Sequence, residues 1–214
     1  MTGPVRTIHF TWKDAHPPGS LFRPEWRRSW ESVPGWSTRF WTDADISEFS
    51  RQHGLERVLD LCRSPVARCD AFRYFLLQKI GGLYVDLDFV NLSDLQWLDE
   101  IHSFACADQG DGFLCNAFLY APFPDDAFFQ EIGTALEESV AESNPVTATG
   151  PRFLTRYASG RPLRLISSES LYPIPWNDRE AAAYACTLSP ADLRQLYPRA
   201  HAVHLWAKSW FPPH

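Results

Sequence analysis

Along its first fifty residues the chain switches between two hydrophobic periods. Residues 7–12 are apolar and polar by turns, with Ile8, Phe10 and Trp12 on one side, which predicts an opening strand. HPPGS, after Asp14, reads as a loop. Trp26 and Trp30, four residues apart among arginines, predict a short helix. Pro34-Gly35 marks a turn, Ser37–Trp41 a second strand, and Asp43 the cap of a helix ending near Gly54. Ser64-Pro65 then opens a helix, with Ser as N-cap and Pro in the first turn. Val66, Cys69, Phe72, Leu76 and Ile80 recur at spacings of three and four until Gly81-Gly82 stops it. Residues 83–90 alternate at period two, which predicts one strand with Tyr84, Asp86 and Asp88 on one face. Leu83, Val85, Leu87 and Phe89 take the other face. Residues 104–107 and 116–121 predict strands, and Phe129, Ile132, Leu136 and Val140 the stripe of a helix starting near Asp125. Ser189-Pro190 opens another helix, and 202–205 reads as a last strand. Strands and helices in turn make an α/β chain. With 214 residues and no repeat, low-complexity tract or linker, one domain over 1–214 is expected.

Composition narrows the partners. With 45% hydrophobic and 21% charged residues the chain has material for a core, which excludes disorder. Lys+Arg 20 against Asp+Glu 26 leaves a net charge of -6, so the basic footprint of a nucleic-acid binder is missing. Phosphate ligands stay open, because a few cations or a metal can hold them. Five cysteines (Cys62, Cys69, Cys106, Cys115 and Cys186) are odd in number and lack C-x-x-C spacing. That speaks against a disulfide framework or a thiolate zinc site and for a reducing compartment. MTGPVRTIHF is no secretory leader, and no uncharged run approaches the roughly 18 residues of a membrane helix. The expectation is a cytoplasmic protein without a transmembrane segment.

The chemistry gathers after Gly82. Two carboxylates two residues apart in an extended chain sit roughly 7 Å apart at their Cα atoms and repel unless a cation lies between them. A hard divalent ion bound through oxygen, Mg²⁺ or Mn²⁺, is the usual answer. Asp70 and Arg73, three apart on the preceding helix, share a face. Spacing alone also allows a strand-capping Asp, a solvated Asp and a weak surface ion pair.

The whole string RCDAFRYFLLQKIGGLYVDLDFV resembles the hallmark of the DXD-motif glycosyltransferases. That group includes yeast-type initiating mannosyltransferases, bacterial capsular-polysaccharide sugar transferases and, more distantly, the large clostridial glucosylating toxins. Its pattern is a helix with Asp, two spacers and Arg-Tyr, then Gly-Gly-x-Tyr-x-Asp-x-Asp. IHFTW, FWTDAD, CNAFLYAPFPDD, Thr149-Gly150-Pro151 and HLWAKSW resemble the flanking family segments in the same order. The resemblance implies a GT-A-like α/β fold, a mainly parallel central sheet flanked by helices. It also implies metal-dependent transfer, with retention of anomeric configuration, from a UDP- or GDP-linked nucleoside-diphosphate sugar. The acceptor, a sugar, a natural product or a protein, stays open.

Carried over by position, the resemblance places Trp12 beside the base and Asp70 and Arg73 on donor hydroxyls and phosphate. Tyr84 and Asn116 fall beside the sugar, and Asp86 on ribose, sugar or metal. Asp88 would bind Mn²⁺ or Mg²⁺ directly, with His204 completing the shell and His201 competing for that place. Ser209 and Trp210 would close over the diphosphate. Asp70, Arg73, Asp86 and Asp88 are the catalytic candidates, and Arg73→Lys is expected to cost transfer with little loss of folding. Two other readings are a nucleotide-sugar-binding protein without turnover and a metal-dependent phosphohydrolase. The four charged residues retained together oppose the first, and the shortage of further acids nearby opposes the second.

Overall fold

The computed structural model describes residues 3–19 and 22–207. In chain order the elements are β1 (Thr7–Thr11), α1 (Pro24–Glu31), β2 (Ser37–Trp41), α2 (Asp43–His53), α3 (Glu56–Leu61), α4 (Pro65–Lys79), β3 (Gly82–Val85), β4 (Phe89–Asn91), β5 (Ala105–Asp108) and β6 (Leu114–Ala121). There follow α5 (Ile132–Ser139), α6 (Pro145–Ala148), α7 (Pro151–Ala158), β7 (Arg164–Ile166), α8 (Ser168–Leu171), α9 (Arg179–Ala185), α10 (Pro190–Leu196) and β8 (Ala202–His204). Six strands form one sheet in the order β2-β1-β3-β6-β5-β7. β1 runs parallel to β2 and β3, and β5 to β7, whereas β6 is antiparallel to both its neighbours. The sheet is therefore mainly parallel, with helices on both faces, as the resemblance implied. Among the described residues no helix is long and apolar enough to cross a membrane.

Alternation along the strands sorts the core into two layers. Ile8, Phe10, Leu83, Val85, Phe118 and Tyr120 pack with Trp26 and Trp30 of α1 on one face. Tyr84, Leu119 and Ala121 pack with Phe72, Leu76 and Leu77 of α4 on the other. The Ser64 hydroxyl caps α4 by accepting from Ala67 N at 3.1 Å. This helix is buried on nearly every side over residues 70–77, more than its predicted stripe required. Val66 and Cys69, at the start of that stripe, instead face an open cleft.

Three local expectations are corrected. The single strand over 83–90 is two: β3 ends at Val85, Phe89 N closes a turn on Asp86 O at 3.1 Å, and β4 pairs with β8 in a separate two-stranded sheet. Alternation in sequence cannot reveal this break, because Phe89 and Val90 are apolar in either setting. The helix expected from Asp125 begins at Ile132. Asp126 accepts from both Phe128 N (2.8 Å) and Phe104 N (2.9 Å), tying that stretch to the start of β5 as a short 3₁₀ turn. At α2 the cap is Thr42, in a reciprocal capping box with Asp45, and not Asp43. Helices α3, α6, α7, α8 and α9 and strand β7 carry no periodic signal long enough to have been foreseen.

Gly81-Gly82 joins α4 to β3 where no other residue fits. Gly82 has φ +97, and a Cβ there would lie 2.6 Å from Thr7 O and 2.9 Å from His9 Nε2. His9 is buried, and its Nδ1 accepts from Trp41 Nε1 at 3.2 Å. Its Nε2–H therefore donates to Gly81 O at 3.0 Å, which makes the ring neutral. Burial holds its pKa down at about 4.

Two outcomes follow from this corner. Gly82→Ala should lower stability by at least ~3 kcal/mol in urea denaturation, because backbone must move. Gly54→Ala, at φ +67 in open space, should cost only about 1 kcal/mol. His9 stays neutral in the fold while the unfolded chain protonates near its ordinary 6.5, so its contribution is full above that pH. It should be lost as pH falls towards about 4, amounting to about 3 kcal/mol, and His9→Gln should flatten that part of the stability–pH curve.

Candidate active site

A cleft of about 870 Å³ opens at the C-terminal ends of β1 and β3, the end of a parallel sheet where ligands bind. Its floor is one guanidinium between two carboxylates. Arg73 Nη2 pairs with Asp70 Oδ1 at 2.9 Å, and Nη1 lies 3.3 Å from Asp86 Oδ1. Nη1 also donates to Asn116 O at 2.6 Å, and the group lies 4.4 Å over the Tyr84 ring. Arg73 and Asp70 are only 5% and 6% exposed, so this is no surface ion pair. Thr149 adds a hydroxyl bond to Asp70 Oδ2 at 3.2 Å. Burial pushes the Asp70 carboxyl up to about 6 against the pull of Arg73. Burial likewise moves Asp86 up, with Arg73 opposing.

Asp88 is organised differently. β4 pairs with β8 so that Phe89 faces His204, which brings His204 to Asp88 across 116 residues of chain. His204 Nε2 lies 3.1 Å from Asp88 Oδ1, and Ala207 N donates to Oδ2 at 2.9 Å. Burial would raise the Asp88 pKa, but the His204 charge and these hydrogen bonds outweigh it and hold it below the ordinary value. His204 stacks on Phe89 at 4.6 Å and meets Trp206 edge-on at 4.0 Å. Its Nδ1 is buried without a partner among the described residues.

The turn after β3 alters the spacing inferred from an extended chain. Asp86, Asp88 and His204 each offer a ligand atom, all within 4.8 Å of one another. Two carboxylates and an imidazole form a donor set that suits Mn²⁺ and, through the oxygens, Mg²⁺. The fit is good at the acids. It is weaker at His204, whose Nδ1 lacks the second partner that usually orients a ligating imidazole.

Comparisons with known proteins give the chain relatives by sequence and by fold. Residues 11–106 match the model of the glycosyltransferase sugar-binding region containing the DXD motif. In that segment the chain is similar to the DXD-motif glycosyltransferases. The lactosylceramide 4-alpha-galactosyltransferase of Gorilla gorilla gorilla is 29% identical over 154 residues, 65% of this chain and 44% of that protein. Inositol phosphoceramide mannosyltransferase 1 of Schizosaccharomyces pombe is 33% identical over 87 residues, 39% of this chain and 27% of its own length. The chain thus spans less than half of these relatives. Among solved structures, the glycosyltransferase GlyE of Streptococcus pneumoniae superposes with a TM-score of 0.57 at 16% identity, covering 94% of this chain and 54% of that one. At that identity the likeness is one of fold, and the fold is GT-A-like.

Within this DXD-motif site the structure gathers most of the residues picked out by sequence. Trp12, Asp70, Arg73, Tyr84, Asp86, Asp88, Asn116 and His204 all line the one cleft. Trp12 is half-buried against Phe22, at 4.9 Å edge to face, and is not a pure core residue. His201 does not reach Asp88; it stacks on Trp97 at 4.4 Å. Ser209 and Trp210 lie outside the described residues. Two participants went unnoticed in sequence: Thr11, which bonds Tyr84 Oη at 2.8 Å, and Trp206 beside His204. A hydroxyl residue at the end of an apolar strand was the available signal for Thr11.

Burial also revises one expectation, that Arg73→Lys would leave folding nearly intact. A lysine cannot serve Asp70, Asp86 and Asn116 O together. Arg73→Lys should therefore lose donor binding and also about 2–4 kcal/mol of stability, checked by chemical denaturation beside donor titration.

Proposed function

We propose that the protein is a metal-dependent glycosyltransferase that moves a hexosyl group from a nucleoside-diphosphate sugar, UDP- or GDP-linked, with retention of configuration. The observation that carries this reading is the pairing, in one cleft, of the Asp70–Arg73–Asp86 bridge with the Asp86–Asp88–His204 cluster. Asp88 and Asp86 would hold Mn²⁺ or Mg²⁺, with His204 the weakest of the three ligands for the reason given above. A bound divalent ion supplies neutralisation of the departing diphosphate.

The chain's own residues would do the rest. Asp70, whose carboxylate is anchored by Arg73 and Thr149, accepts from donor-sugar hydroxyls. Asn116, on β6, presents its side chain beside the sugar, and Trp12 borders the base. Holding donor and acceptor in one geometry replaces a bimolecular encounter, the largest contribution such a site makes without a covalent nucleophile. On the far wall the cleft carries Phe113, Arg152, Trp176 and Arg179, where the acceptor would enter. The relatives are named for lactosylceramide and for inositol phosphoceramide, which makes a ceramide-linked acceptor the first class to try.

Thermal shift against a panel of UDP- and GDP-sugars, with Mn²⁺ and with EDTA, tests the reading. One donor should raise the melting temperature with metal and not in chelator. Equal donor affinity in EDTA would remove the metal from the proposal. Asp88→Asn should abolish metal-dependent donor hydrolysis while the apo protein melts no more than a few degrees lower. His204→Ala should weaken the metal only about tenfold. If donor binds but no acceptor or water ever receives the sugar, the binding-protein reading replaces this one.

A further inference from the structure

Asp86 is held by one oxygen. Oδ1 accepts from Tyr84 Oη at 2.9 Å and faces Arg73 Nη1 at 3.3 Å, whereas Oδ2 makes no hydrogen bond or ion pair among the described residues. The chain of contacts does not stop at Tyr84. Thr11 Oγ1 lies 2.8 Å from Tyr84 Oη, and Cys69 Sγ lies 3.0 Å from Thr11 Oγ1.

Counting protons assigns every direction. A carboxylate only accepts, so the one Tyr84 hydroxyl proton goes to Asp86. The short contact between Thr11 and Tyr84 then requires the Thr11 proton. Thr11 has no other proton, so towards Cys69 it can only accept, and the thiol must donate. Thr11 and Tyr84 are both buried, which leaves little room for water to offer an alternative. Cys69 is only partly buried, but that burial pushes the thiol pKa up, which keeps the protonated form this requires. The three groups sit on α4, β1 and β3, so the chain ties the helix and both parallel strand ends to one carboxylate oxygen.

We propose that Cys69, Thr11 and Tyr84 form a one-way hydrogen-bond chain that fixes Asp86 by Oδ1 and leaves Oδ2 for the divalent ion and donor. Thr11 is thereby a positioning residue of the site. The inference rests on the transferase reading for its purpose, but the direction of the chain stands on the geometry.

Two readouts on the full chain test it. In calorimetry with MnCl₂ alone, Thr11→Val, which keeps shape and removes the hydroxyl, should bind about tenfold more weakly. Thr11→Ser should restore binding to within about twofold of the parent, and circular dichroism should show all three proteins folded. Wild-type affinity in Thr11→Val, or failure of Thr11→Ser to restore it, would overturn the positioning role. The second readout is the infrared S–H stretch of Cys69, identified as the band missing in Cys69→Ala. It should sit low, as a hydrogen-bonded thiol does, and move up in Thr11→Val. A band that stays put in that variant would overturn the chain itself. If the parent protein binds no Mn²⁺ while the band moves as expected, the metal assignment fails and the chain survives.

Discussion

One buried cation organises this molecule. Removing the Arg73 guanidinium and the Asp70 carboxylate from water costs several kcal/mol for each ion, and only close geometry returns it. Arg73 meets that condition by engaging Asp70 from its own helix, Asp86 from the end of β3 and a carbonyl of β6. The elements supplying these partners cannot shift without stranding a charge. Three consequences can be traced to this: the deep burial of α4, the tight Gly81-Gly82 link that sets β3 beside it, and the placing of Asn116 on the cleft wall. The floor of the cleft and the structural keystone are the same group.

The second acid is placed by other means. Asp86 still belongs to the main sheet, its N–H bonded to Ala117 O at 2.9 Å, but the chain turns away immediately afterwards. Asp88 then belongs to the edge of the small β4–β8 sheet, where His204 and the Ala207 N–H reach it. The two carboxylates therefore sit in different electrostatic settings. One is moved up by burial and the other is held down by an imidazole and an amide. Such a split between neighbouring acids is a mark of sites that bind or react.

A site of this kind draws on both ends of the chain. Thr11 and Trp12 come from the first strand, the acids from the middle, and His204 and Trp206 from the last strand and its exit. The cleft they line, about 870 Å³, falls within the size range of small-molecule and cofactor sites.

Much of this was legible in sequence because it depends on local rules. Ser64-Pro65 starts a helix, paired glycines end it, and alternation marks a strand; each acts within a few residues, so α4, β1, β2, β5 and β6 were visible. The spacing of Asp70, Arg73, Asp86 and Asp88 likewise pointed to the cleft that they line, since residue type and separation are sequence properties. What sequence could not supply depended on partners distant along the chain. Whether residues 83–90 stay in one sheet or cross into another is decided by Trp30 and β8, which both hold Phe89 through contacts no local pattern encodes. Whether Asp70 and Arg73 form a solvated pair or a desolvated bridge is decided by what packs over them. His204 rather than His201 meets Asp88 because the β4–β8 register places it there, and a shift of a few residues would have exchanged their roles. Sequence determined which groups this protein has and how closely they follow one another; tertiary structure alone decided which of them lost water and met, because desolvation and long-range register are properties of the packed chain.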